Sequence, residues 1–143
     1  MARADVFRLL LIRSGSTDWD EQNHLAGAAD HPLCETGRAS FGVGHDATGE
    51  VDLRCVLCGE DQASEESARL FAGTVGAKVR VYPELGEADL GLWQGLRMDQ
   101  IKERSPRIYK QWCDDPLSLS PPEGEPLREA QDRLLSAWRG AWS

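Results

Sequence analysis

The 143 residues carry 16 Lys and Arg against 24 Asp and Glu, and the resulting charge of −8 opposes nucleic acid or an anionic membrane as the main partner. The length suits one domain, residues 1–143, with a real hydrophobic core. No apolar run is long enough to span a bilayer, and no small-residue cleavage site follows residues 6–12, so the expected address is the cytoplasm.

The first element is Val6-Phe7-Arg8-Leu9-Leu10-Leu11-Ile12, a short and nearly continuous apolar run. Such a run predicts a strand buried on both faces, as in a parallel sheet covered by helices. Arg13-Ser14-Gly15-Ser16-Thr17 follows at its carboxyl end, where open α/β sheets bind ligands. Arg13 offers a planar fork of donors to phosphate or carboxylate, Gly15 permits close backbone approach, and Ser14, Ser16 and Thr17 add hydroxyls. These five residues are the candidate phosphate-binding loop.

Residues 17–33 read as a functional loop carrying His24 and His31, each either a locally bonded loop histidine or a substitute base or phosphate acceptor. Residues 35–41 open a helix with Thr36 as cap, undermined by Gly42, Gly44 and Gly49, at about 1 kcal/mol each relative to alanine. Residues 51–57 predict the second strand. It contains one pair of the four cysteines, Cys55 and Cys58, while Cys34 and Cys113 lie elsewhere. Positions i and i+3 on a strand face opposite sides, so no metal, redox or other cofactor site is expected there.

A helix is expected from Ser64 to a stop near Gly73 or Gly76, with Glu60, Asp61, Glu65 and Glu66 around its first turn. Residues 78–82 alternate as a short strand ended by Pro83, and residues 99–104 and 106–113 predict two helical pieces split at Pro106. Residues 114–126 are proline-rich loop. Leu127, Ala130, Leu134, Leu135, Trp138 and Ala141 recur at three or four residues, marking a last amphipathic helix that Trp142 extends.

Several stretches resemble, in order, the histidine phosphatase (phosphoglycerate mutase-like) superfamily. Arg13-Ser14-Gly15-Ser16-Thr17 with Trp19-Asp20 is similar to its opening Arg-His-Gly-Glu-Thr and Trp-Asn. Leu25-Ala26-Gly27, Asp30-His31-Pro32-Leu33 and Glu35-Thr36-Gly37-Arg38 continue the likeness. So do the segment from Leu85 to Leu96, which holds Glu87, and Pro122-Glu123-Gly124-Glu125. The resemblance implies a three-layer α/β/α fold with a mostly parallel sheet. It also implies a phosphoryl-transfer site in which Glu87 is the proton donor.

The departures from that pattern carry the functional expectation. The family's phosphate-accepting histidine falls on Ser14, its glutamate on Ser16, its asparagine on Asp20, and its second phosphate arginine on Ala63. Its second histidine, with the last strand and helix, lies beyond Ser143. Ser14 and Glu87 are therefore degenerate equivalents of catalytic residues, and a serine hydroxyl without an adjacent base is a poor nucleophile. The expected protein is a pseudoenzyme with at most weak anion binding at the Arg13 loop. It would act as an assembly or binding module, as a homo-oligomer or with a protein partner covering the exposed C-terminal side. The alternative is residual phosphomonoesterase or mutase-like activity, with the site completed by a partner chain.

Overall fold

A computed structural model describes residues 9–43 and 53–141. The predicted first strand is not formed in its described part. Residues 9–12 join no ladder, and Leu9, Leu10, Leu11 and Ile12 are exposed rather than buried. A strand needs a neighbour to satisfy its backbone, and none among the described residues pairs with this one. Residues 6–8 lie outside the described residues.

The loop after it is partly helical. α1 (Asp18–Glu21) is started by a capping box in which the Thr17 hydroxyl accepts from Asp20 and the Asp20 carboxylate accepts from Thr17. α2 (Glu35–Ala39) is capped by the Cys34 sulfur, which accepts from the Gly37 N–H, not by Thr36. The helix begins one residue before the expected cap, so Thr36 sits within the first turn and its hydroxyl donates to Glu21. A 3-10 turn, Ser40–Val43, follows; Gly44 and Gly49 lie outside the described residues.

β1 (Cys55–Cys58) and β2 (Lys78–Val81) pair in parallel, Cys55 opposite Lys78 and Cys58 opposite Val81. Parallel neighbours need a crossover, and α3 (Gln62–Val75) supplies it. The second strand is shorter than expected: residues 51 and 52 lie outside the described residues, and Leu53 and Arg54 pass no residue of β2 in register. α3 starts earlier than Ser64 because Asp61 caps it, and it stops at Gly76 in the left-handed region at φ 69°. Ala63, Ala68, Phe71 and Ala72 form its buried face.

α4 (Met98–Arg104) and α5 (Pro106–Asp114) are split at Pro106 as the sequence predicts, and α6 (Leu127–Gly140) is the amphipathic helix. Leu90, Trp93, Ile101 and Leu119 make the main buried cluster, with Trp93 stacked on Trp112 at 5.6 Å. Leu90 and Trp93 of this cluster belong to the segment that carries Glu87. Among the described residues no helix is long and apolar enough to cross a membrane.

Candidate functional site

Arg13, Ser14, Gly15 and Thr17 wall a cavity of about 750 Å³, and Asp20, Asp61 and Glu87 face the same space. The sequence therefore brings together the ends of three elements: the apolar segment, β1 through the α3 cap, and the loop above the Trp93 core. His24 and His31 reach the cavity as well. Both flank Trp19, the His31 ring 4.1 Å and the His24 ring 6.1 Å from it, centroid to centroid. Ser16 does not line the cavity; its carbonyl accepts from the Cys34 N–H, which ties the loop to the start of α2.

Several of the donors that a small anion would use are already engaged. The Gly15 N–H donates to the Ser67 hydroxyl at 3.0 Å. The Thr17 N–H and hydroxyl both donate to one Asp20 oxygen at 2.8 Å. At the N-terminus of α3, where free N–H groups favour anions, Ser64 N–H donates to Asp61 at 2.8 Å, and Gln62 N–H, whose residue does not line the cavity, donates to Asp30 at 2.8 Å. Carboxylates of the chain itself thus occupy the positive ends of the site. Gly15 does permit a close approach, but to protein: a Cβ there would stand 2.7 Å from the Gly37 carbonyl.

Of the four acids expected around the start of α3, only Asp61 enters the cavity. Glu66 turns to Arg38, and Glu65 to Arg69, where each is satisfied at the surface. One Asp61 oxygen caps α3, while the other is buried with no hydrogen-bond partner among the described residues. Glu87 keeps part of its side chain in solvent, yet crowding by protein raises its carboxyl above the ordinary 4.5. Asp61 and Asp20 push the same way, and Arg13 and Arg133 pull back. The balance is acidic, with Arg13 the cation of the loop.

Sequence reasoning missed three structural participants. Ser67 takes the Gly15 donor from one helix turn inside α3. Asp30, quoted for its motif alone, fastens the loop to α3 through both the N–H and the side-chain amide of Gln62. Arg133 on α6 donates to the carbonyls of Glu84 and Gly86, so a remote helix fixes the loop bearing Glu87. A bonding role for Ser67 has no pattern to reveal it, because its partner is 52 residues away.

The described fold and this loop define a class. A sequence profile of the histidine phosphatase superfamily (branch 1) matches residues 9–142. The chain belongs to that superfamily, with its phosphoglycerate mutase-like α/β fold. It is 31% identical to the bifunctional protein Rv2228c of Mycobacterium tuberculosis, over 98% of this chain and 40% of that protein. It is 28% identical to the adenosylcobalamin/alpha-ribazole phosphatase of Escherichia coli, over 89% of this chain and 63% of the enzyme. The mycobacterial glucosyl-3-phosphoglycerate phosphatase Rv2419c, solved with VO3, superposes with a TM-score of 0.77 at 27% identity, covering 90% of this chain and 64% of that one. The chain thus spans between two-fifths and two-thirds of these relatives.

Proposed function

We propose that this chain is a catalytically inactive member of the superfamily that serves as a binding or assembly module. The observation that carries the reading is the engagement of the anion donors: the Thr17 and Ser64 N–H groups are held by Asp20 and Asp61. Phosphoryl transfer rests on neutralising charge at the transferring oxygens. Here Arg13 shares the cavity with Asp20, Asp61 and Glu87, and Ala63 stands where the family carries a further arginine. Ser14 replaces the histidine nucleophile, so the Glu87 proton has no phosphoenzyme to serve. Arg13 with the Ser14 hydroxyl retains weak affinity for a small anion. A cytoplasmic setting fits the four unpaired thiols.

A second reading is supported by the arrival of His24 and His31 in the cavity that holds Arg13. One of them would then act as base or phosphate acceptor in a residual phosphomonoesterase. Hydrolysis of a panel of small phosphomonoesters, beside an Arg13→Ala control, separates the two. The inactive reading expects no turnover above the control. Turnover that disappears in Arg13→Ala overturns it and moves the search for the nucleophile to Ser14, His24 and His31.

A further inference from the structure

His24 and His31 are both held against one fixed ring. Trp19 is backed by Gly95, where a Cβ would stand 3.2 Å from the indole. The His31 ring lies tilted on Trp19, and the His24 ring meets it edge-on at 83°. The His24 N–H donates to the Trp19 carbonyl at 2.8 Å, and His24 pairs with Arg97 in an isolated antiparallel bridge. Both imidazoles are half-buried, and both line the cavity that holds Arg13. The charged groups around them are committed elsewhere. Both Asp30 oxygens accept from Gln62, one Asp20 oxygen takes both Thr17 donors, and one Asp61 oxygen caps α3. The Gln62 bonds hold the Asp30 carboxyl below its ordinary 3.8, and His31 pulls the same way by charge. The Arg97 guanidinium turns to Asp99. Among the described residues no ion pair engages either imidazole.

We propose that the Arg13 cavity is an acid-gated site for a small oxyanion, in which protonated His24 and His31 supply the positive charge that Arg13 alone cannot. The inference rests on the binding-module reading and adds the regulation of its anion site. Among the described residues that line the cavity, the charged side chains are Arg13 against Asp20, Asp61 and Glu87. With neutral imidazoles one cation is set against three acids, and an oxyanion is repelled. With both imidazoles protonated, three cations balance the three acids. Histidine is the side chain whose charge ordinarily changes between pH 5 and 8. In a cleft walled by protein such a charge acts across the cavity without touching the ligand. Glu87 answers in the same direction, because its raised carboxyl sheds charge as pH falls, and it is the rival source of gating. Charge favours the imidazoles: they bring two positive charges, whereas Glu87 gives up one negative charge and leaves Asp20 and Asp61 in place.

The probe is sulfate, whose own charge does not change over this range, titrated by calorimetry at fixed ionic strength. Its affinity is expected to rise at least about tenfold from pH 8 to pH 5, the window of histidine charge. Arg13→Ala weakens sulfate at both ends of the range. His24→Gln combined with His31→Gln reduces the acid gain to about threefold or less, whereas Glu87→Gln alone keeps most of it. Imidazole NMR on the unaltered chain reads the same coupling in reverse and does not depend on a variant that folds. Sulfate should raise the titration midpoints of both rings, because linkage is reciprocal. An affinity that is flat with pH, binding that survives Arg13→Ala, or unmoved ring midpoints overturns the inference. So does an acid gain that persists without the two histidines or vanishes in Glu87→Gln, which would assign the gating to Glu87. Phosphomonoester turnover is followed at each pH in parallel samples. Turnover counts against the inactive reading alone, whereas an absent acid gain for sulfate counts against the gated site alone.

Discussion

Arg133 and Glu125 form a two-pronged ion pair, Nε to Oε1 at 2.9 Å and Nη2 to Oε2 at 2.8 Å. The same guanidinium donates through Nη1 to the carbonyls of Glu84 at 2.6 Å and Gly86 at 3.0 Å. One planar group therefore joins α6, the proline-rich loop before it and the loop that carries Glu87. A lysine cannot do this, since its point charge lacks the fork.

The first expectation concerns that clamp. Arg133→Gln leaves Glu125 and two carbonyls without their donor, and charge-assisted bonds in half-buried settings contribute about 1.5–3 kcal/mol. The urea midpoint falls by a corresponding amount at pH 7, and Arg133→Lys recovers only part of it. The pH dependence has a definite sign. The ion pair holds the Glu125 carboxyl below its ordinary 4.5, so its contribution is present above that value and fades as pH falls through the lowered one. The stability gap between wild type and Arg133→Gln should narrow under acid, leaving the part that the carbonyl bonds contribute.

Glu87 behaves in the opposite sense. Its carboxyl is raised, first by desolvation and then by Asp61 and Asp20, so the fold favours the protonated form. Its contribution is complete below the ordinary 4.5 and is lost as pH rises through the raised value. Glu87→Gln removes this loss and is expected to melt higher than wild type near neutral pH. Carboxyl NMR should place the Glu87 midpoint above 4.5, and higher still in Arg13→Ala, because Arg13 is one of the two cations holding it down.

Gly37 is a packing position. A Cβ there would lie 2.2 Å from the Ser16 carbonyl oxygen, which is backbone and has nowhere to retreat. Gly37→Ala should cost about 1–3 kcal/mol by overpacking, seen as a lower thermal midpoint. The loss should exceed that of Gly73→Ala, since nothing stands within 4 Å of a Cβ at Gly73.

These positions show what the sequence reveals and what it hides. Periodicity in residues 127–141 and Pro106 place α4 to α6 within a residue or two, because local preference and burial agree there. The parallel pair around α3 is equally legible. Residues 9–12 are not: an apolar run states that a strand should be buried, but its neighbour is a matter of the whole sheet, and here none among the described residues pairs with it. The loop residues Arg13, Ser14 and Gly15 are found by their position after that run. That Ser67 engages the Gly15 donor and Asp20 the Thr17 donors is not visible in a pattern of residue types, since the Ser67 bond spans 52 residues. The acidic start of α3 misleads for a related reason: Glu65 and Glu66 find arginines on the outside, and composition does not record direction.

Restoring the nucleophile tests how much of the pocket is lost. Ser14→His places an imidazole beside Arg13 but leaves Ala63 uncharged and the Thr17 donors on Asp20. It should therefore remain without turnover on phosphomonoesters. Turnover restored by this single change would mean that the surrounding donors open for substrate, contrary to their engagement described above.

The last expectation frees those donors directly. Asp20 holds the Thr17 N–H and hydroxyl through one oxygen, and also faces Glu87. Asp20→Ala removes a carboxylate from the cavity and releases two Thr17 donors in the cavity that holds Arg13. Inorganic phosphate should then bind measurably tighter, in a salt-dependent manner, because the gain is electrostatic. The same change breaks the capping box of α1 at a cost of about 1 kcal/mol, so the thermal midpoint falls while anion affinity rises. Opposite movement of the two quantities is the signature of a self-occupied anion site. A parallel loss of both, in titration calorimetry and melting, would show that Asp20 only holds the loop in shape.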